Sequence, residues 1–286
     1  MIDVNCSTNV GEYLQLPKSI VMRLKQYLIS LSIILVFCSV TTLAQVSYFD
    51  NQSNSTTSLH FKFESNSGDS ILQYQGYTII YSFKYNLPRY AFHTVTLEQL
   101  TVDKENEAVR RNSYRVIDLP NGNITATAND YKGSGYDRGH LVPAGDFAKS
   151  QNLKDETFFY TNIAPQKDIL NRGIWLGLED NFRSYVIDNK VDVYVVTGSI
   201  FDEDCTVKIG PNDLCVPLAY FKILYNESEN KMFAFMFDHS VDRYYGTISD
   251  FQVSVNDIEK ITGEDFFDKL DDPIEDQLES MIKVFK

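Results

Sequence analysis

Within Tyr136-Asp137-Arg138-Gly139-His140-Leu141-Val142-Pro143-Ala144 the chain gathers a base, a guanidinium and a glycine. His140 can take a proton near neutral pH, Arg138 can fork two N–H donors onto one phosphate, and Gly139 lets the backbone approach a ligand closely. The same residues read alone also suit a strand end with a structural histidine beside a surface arginine. The next segment weighs against that plainer reading. Asn162-Ile163-Ala164-Pro165-Gln166 is followed by Asn171, Trp175 and Glu179. Pro165 is expected to break the extended segment, with a helix beginning after it. Leu170, Ile174, Leu178, Phe182 and Tyr185 recur at helical spacing, and Asn171, Trp175 and Glu179 step by four along an adjacent face. A carboxamide and a carboxylate on one face make an oxygen-rich cradle for Mg²⁺, a hard ion that keeps most of its waters and takes one or two protein oxygens.

These two motifs, in this order, resemble the DNA/RNA non-specific endonuclease family, which includes mitochondrial endonuclease G and secreted bacterial nucleases. The resemblance is strongest from Tyr131 to Asp180 and extends over Gln75 to Leu270. It implies an α+β fold: a ββα-metal (His-Me finger) core on an antiparallel sheet with flanking helices. It also implies that the motif histidine, His140, is the general base, and that the helix asparagine, Asn171, is the one direct protein ligand of Mg²⁺. The helix glutamate, Glu179, would organise the ion's water shell. Asn162 matches a position that shapes the site, and Arg138 matches the motif arginine. For an upstream phosphate-binding arginine Arg111 is the best match, with Arg110 and Arg115 as neighbouring alternatives. The implied activity is hydrolysis of phosphodiester bonds in DNA and RNA with one Mg²⁺, leaving 5′-phosphate ends. Mn²⁺ or another divalent ion is an alternative cofactor, and a homodimer is one open oligomeric state. Two rival readings stand beside this: a phosphodiesterase acting on another phosphate ester, and a catalytically silent binding protein of the same fold. A binding scaffold has no physical need for His140 and Asn171 together.

Charge sets a constraint on any nucleic-acid partner. The 286-residue chain carries a formal charge of −13, whereas retention of nucleic acid normally rests on Lys and Arg neutralising phosphates. An enzyme needs only a local positive site, which Mg²⁺ with Arg138, Arg111 and Arg172 would provide. Part of the acidic surplus lies after Asp250, away from the motifs.

The elements that must position these residues follow from periodicity and breakers. Met22-Arg23-Leu24-Lys25, an apolar run from Tyr27 to Val40 and Thr42-Leu43-Ala44 read as a signal peptide within a 1–44 leader. Cleavage after Ala44 would export the chain, secreted or periplasmic, with no membrane span remaining. Met22 is an alternative initiator, and a retained anchor or lipidation at Cys38 is the competing reading. Residues 45–70 read as an irregular tether and 71–286 as one nuclease domain. Of the four cysteines, Cys205 and Cys215 survive cleavage and are expected to form a disulfide in an exported chain.

Strands are expected over Tyr77 to Phe83 and Tyr90 to Val95, broken at Pro88, and over Lys190 to Ile200. A hairpin is expected from Leu218 to Phe237, turning at Asn226 to Asn230. His93 reads as a strand residue, and Asp238-His239 as structural, because adjacent strand side chains diverge. An Asp257-capped helix ending at Gly263 and a last helix from Pro273 to Phe285 close the chain.

Overall fold

The computed structural model describes residues 69–117, 119 and 125–285. The leader 1–44 and nearly all of the 45–70 tether lie outside the described residues. Asp69 and Ser70, placed in that tether by composition, instead open strand β1 (Asp69–Gln73).

Seven strands form one antiparallel sheet in the order β1-β2-β3-β6-β9-β10-β11. After β1 come β2 (Tyr77–Ser82), β3 (Leu87–Val95), β6 (Val193–Ile200), β9 (Ala219–Asn226), β10 (Lys231–Asp238) and β11 (Gln252–Val253). The β2–β3 hairpin is where expected, but Pro88 lies inside β3 opposite Tyr81 and does not break it. The register shifts between Ile80 and Tyr81, and a bulge of this kind is where a strand tolerates a residue with no N–H to donate. The β9–β10 hairpin pairs Lys231 with Asn226 through Asp238 with Ala219, and Asn230 adopts φ 47° in the turn.

Both faces of the sheet are apolar, so both must be covered. One face packs Ile79, Val195, Leu224 and Phe235 against Leu178, Phe182 and Val186 of helix α4 (Trp175–Asn189). The other packs Ile80, Phe92, Val196 and Ile223 against Val255 and Ile258 of α5 (Val255–Thr262) and Leu278 of α6 (Asp272–Glu279). Short helices α1 (Leu97–Leu100), α2 (Ala128–Tyr131) and α3 (Gln151–Glu156) lie between strands. A two-stranded antiparallel ladder of β4 (Asp137–His140) and β5 (Ile163–Gln166) leads into α4 and completes a ββα unit. The pair β7 (Lys208–Ile209) and β8 (Leu214–Cys215) is held by the Cys205–Cys215 disulfide.

Two helix ends differ from expectation. The cap of α5 is Ser254, whose hydroxyl accepts from the Asp257 amide, while the Asp257 carboxylate reaches back to Ser254. Ser254 and Asp257 are the two halves of one capping box. Gly263 ends the helix at φ 71°, as expected. The last helix stops at Glu279 because Phe285 turns away to pack on Phe182, Tyr185, Phe233 and Phe235.

A carboxylate cluster where α6 meets α5 should make the stability of the fold depend on pH. Burial, then Glu259, Glu275 and Asp265, push the Glu279 carboxyl up to about 9, and Glu279 is 4% exposed. A carboxyl raised in the folded state contributes stability that is complete below its unfolded value and is lost as pH rises through its folded value. Thermal melts should therefore fall from pH 5 to 9. Glu279→Gln, neutral throughout, should flatten that fall and raise Tm at pH 8.5 by about 2–4 °C for each kcal/mol relieved. An unchanged slope would place the pH dependence elsewhere.

Candidate active site

Strand β4 carries the first motif, and its position is set by three contacts from the second. Asn162, fully buried, accepts from the Val142 amide at 2.9 Å through its side-chain oxygen and donates to the carbonyls of Val142 and Thr157, each at 2.9 Å. Its own carbonyl accepts from the Leu141 amide at 3.0 Å. The three bonds to Leu141 and Val142 hold the backbone immediately after His140. Gly139 serves packing: a Cβ there would lie 2.2 Å from the side-chain oxygen of buried Gln166. The glycine makes room for β5, and no ligand is needed to explain it. Pro165 lies within β5 opposite Arg138, so the strand continues past the residue expected to end it.

His140 is 8% exposed and is walled by aromatic rings, Phe158 at 4.9 Å and Tyr114 at 5.8 Å. Among the described residues its buried Nε2 has no hydrogen-bond partner. Burial, then Arg110 and Arg138, push its pKa down to about 3, so the ring is neutral at physiological pH. The two guanidiniums lie on the same wall: Arg138 stacks on Tyr114 at 4.0 Å and Arg110 on Phe158 at 5.2 Å. Arg111, the best sequence match for the upstream cation, instead pairs with Asp155 at 3.1 Å. Of Arg110 and Arg111, it is Arg110 whose guanidinium lies over Phe158, the ring packed against the histidine.

Asn171 sits half-buried in a π-turn, Leu170–Ile174, which is kinked at Gly173 (φ −108°, ψ −113°) before α4 begins. The single regular helix expected from Leu170 is thus broken. Trp175, placed by spacing beside Asn171 and Glu179, is 1% exposed and packs on Tyr220 and Phe237. Asn171 donates through its side-chain nitrogen to Asp137 at 3.0 Å. A carboxylate only accepts, so Asp137 fixes which end of the amide is nitrogen and turns Oδ1 away from it. Arg172 makes a two-pronged contact with the same carboxylate, at 2.7 and 2.5 Å, and so is committed to Asp137. Burial would raise the Asp137 pKa, but Arg172 and Asn171 outweigh it and hold the carboxyl ionised.

Glu179 lies on α4 above a buried polar network. Burial outweighs the opposing pull of Lys222 and leaves its pKa raised to about 7. Lys222, 1% exposed, donates to Thr197 at 2.7 Å and to the Leu141 carbonyl at 3.4 Å, and stands 4.8 Å from the Trp175 ring. Arg183, one turn beyond Glu179, binds Asp146 at 2.8 Å and also Asp180. Asp146 in turn meets His93 at 2.8 Å. Sequence reasoning missed Arg183, although its i+4 spacing from Glu179 was a usable signal. It also missed Lys222, which sits between Tyr220 and Leu224 on the inward face of β9. His93 does have a carboxylate partner, far off in sequence.

No group of three or more His, Cys, Asp or Glu suited to hold a metal occurs among the described residues. A closed cage is thereby absent, while one amide oxygen with a carboxylate on the following helix fits a hydrated hard ion. No helix among the described residues is long and apolar enough to cross a membrane.

Comparison with known proteins places this geometry. The DNA/RNA non-specific endonuclease family matches residues 54–273. Nuclease C1 of Cunninghamella echinulata var. echinulata is 36% identical over 192 residues, 62% of this chain and 76% of its own. The nuclease of Syncephalastrum racemosum is 32% identical over 220 residues, 70% of this chain and 68% of its own. Human mitochondrial endonuclease G is 39% identical over 128 residues, covering 42% of this chain and 43% of that one. The crystal structure of the EndoG/EndoGI complex superposes with a TM-score of 0.61 at 29% identity, over 71% of this chain and 87% of that one. The matched span contains the whole β4–β5–α4 unit, and the chain belongs to the DNA/RNA non-specific endonuclease family, hydrolases that act on nucleic acids.

Proposed function

We propose that the protein is an exported, Mg²⁺-dependent endonuclease that cuts DNA and RNA without sequence preference, with His140 as general base and Asn171 as metal ligand. One observation carries this reading. The buried Nε2 of His140 has no hydrogen-bond partner among the described residues, and the two rings that wall it, Tyr114 and Phe158, carry the guanidiniums of Arg138 and Arg110.

The chemistry follows from these groups. Arg110 and Arg138 bind the non-bridging oxygens of a phosphodiester, which neutralises the cations that depress the histidine. The incoming negative charge raises the proton affinity of His140 when a proton must be taken. His140 then accepts a proton from the attacking water. Asn171 through Oδ1 would hold the ion, Glu179 would organise its water shell, and Asp137 keeps the amide turned. When bound, a divalent cation supplies positive charge against the charge developing on the phosphoryl and leaving oxygens. Lys222 opposes the burial that raises the Glu179 carboxyl and so favours its ionised form.

Substrate range tests the reading. The mature chain, incubated with Mg²⁺, should nick supercoiled plasmid, degrade linear DNA and RNA, and leave ends that a ligase accepts as 5′-phosphates. End sequencing should show no consensus, and EDTA should stop cleavage. Activity confined to a small diester such as bis(p-nitrophenyl) phosphate would favour a phosphodiesterase. Binding with no cleavage under any divalent ion would favour the silent scaffold.

A further inference from the structure

His239 lies outside the groups used above, yet it is the most completely constrained histidine among the described residues. It is 3% exposed, and its two ring nitrogens face opposite kinds of partner. Nδ1 lies 2.9 Å from the Pro217 carbonyl, which only accepts, so Nδ1 carries the hydrogen. The Lys167 amide donates to Nε2 at 2.7 Å, so Nε2 must be bare. An imidazolium would set N–H against N–H there.

Lys167 is where β5 has ended and the Asn171 turn has not begun. Its carbonyl accepts from the amides of Leu170 at 3.0 Å and Asn171 at 2.9 Å, and its ammonium binds the carbonyls of Ser240 at 2.9 Å and Val241 at 3.0 Å, and Asp242 at 3.2 Å. The segment 239–242 therefore grips Lys167 at both its amide and its side chain. Tyr220, whose ring lies 5.2 Å from His239, holds the Pro165 carbonyl at 2.6 Å. The exit of β5 is pinned to the main sheet on each side of Gln166.

We infer that His239 is a positioning residue for the reaction: as a neutral Nδ1–H imidazole it anchors the Lys167 amide and so fixes the turn that presents Asn171. The inference rests on the proposed role of Asn171. Removing such an outer partner typically costs about 10- to 100-fold in metal affinity or activity, whereas a merely structural histidine would alter Tm alone.

The test compares His239→Phe, which keeps the ring packing but offers no acceptor, with His239→Gln, whose amide has both a donor and an acceptor. Mn²⁺ binding to EDTA-stripped protein is read by electron paramagnetic resonance of the free ion, with kcat and KM on plasmid DNA alongside. The Phe variant should bind Mn²⁺ about 10-fold or more weakly and lose kcat with little change in KM, and the Gln variant should recover most of both. A folded Phe variant with wild-type Mn²⁺ affinity overturns the inference whatever its Tm. Should the Phe variant fail to fold, His239→Met, which likewise offers no good acceptor to the Lys167 amide, must weaken Mn²⁺ about 10-fold, and wild-type affinity there overturns the inference equally. Wild-type protein that neither binds Mn²⁺ nor cleaves would defeat the proposed function itself, a different result from variants that match an active wild type.

Discussion

His140→Ala is expected to lower kcat on DNA by more than the roughly 10²- to 10⁴-fold typical of one general base. The excess arises because the ring also forms part of the wall with Phe158 and Tyr114, so its loss leaves the water without a fixed neighbour as well as without a base. The other described histidines offer no substitute, since His93 is tied to Asp146 and His239 to Pro217 and Lys167. Mn²⁺ affinity should stay within a few-fold of wild type, because Asn171 is held by Asp137. Circular dichroism would confirm that the variant folds, and single-turnover cleavage would read the loss.

Asn171→Ala should fail for a different reason. It removes the oxygen end that Asp137 orients, and with it the charge stabilisation, worth several kcal/mol, that a divalent ion supplies. At 1.36 kcal/mol per tenfold, a loss of about 10²- to 10⁴-fold in rate is expected, with Mn²⁺ affinity falling in parallel. Asn171→Asp should not restore activity, although it keeps an oxygen. The new carboxylate would face Asp137 in place of the donor that now lies 3.0 Å from it. Recovery in the Asp variant would mean that charge alone, and not the oriented amide, is what the ion requires.

Much of the site was legible because its parts are local. Asp137 to His140 and Asn162 to Gln166 are short strands bounded by turn residues, and their pairing needs no distant information. The β9–β10 hairpin and the disulfide were equally near in sequence. What escaped depends on geometry that periodicity does not encode. A 3.6-residue pattern runs straight through Gly173, so the π-turn and the withdrawal of Trp175 into the core are invisible to it. In the sequence Pro88 and Pro165 carry the signal of breakers, because their tolerance depends on a bulge and on a two-stranded ladder, both set by the partner strand. Arg110 and Arg111 are adjacent in sequence and differ in the partner each meets: Asp155 takes Arg111, while Arg110 lies over Phe158, the ring packed against His140. The role of Asp137 became visible only once Asn171 and Arg172, more than thirty residues on, were seen to converge on it.

Chemical rescue separates base from ligand most directly. His140→Ala leaves an imidazole-sized gap and does not touch Asn171, so on the proposed roles added imidazole should restore part of its cleavage of plasmid DNA, with a pH dependence following free imidazole near its ordinary value. Asn171→Ala should not respond, because imidazole is a poor ligand for a hard, oxygen-preferring ion. Near-normal activity in His140→Ala without imidazole, or equal rescue of both variants, would contradict the assignment of His140 as base and Asn171 as metal ligand.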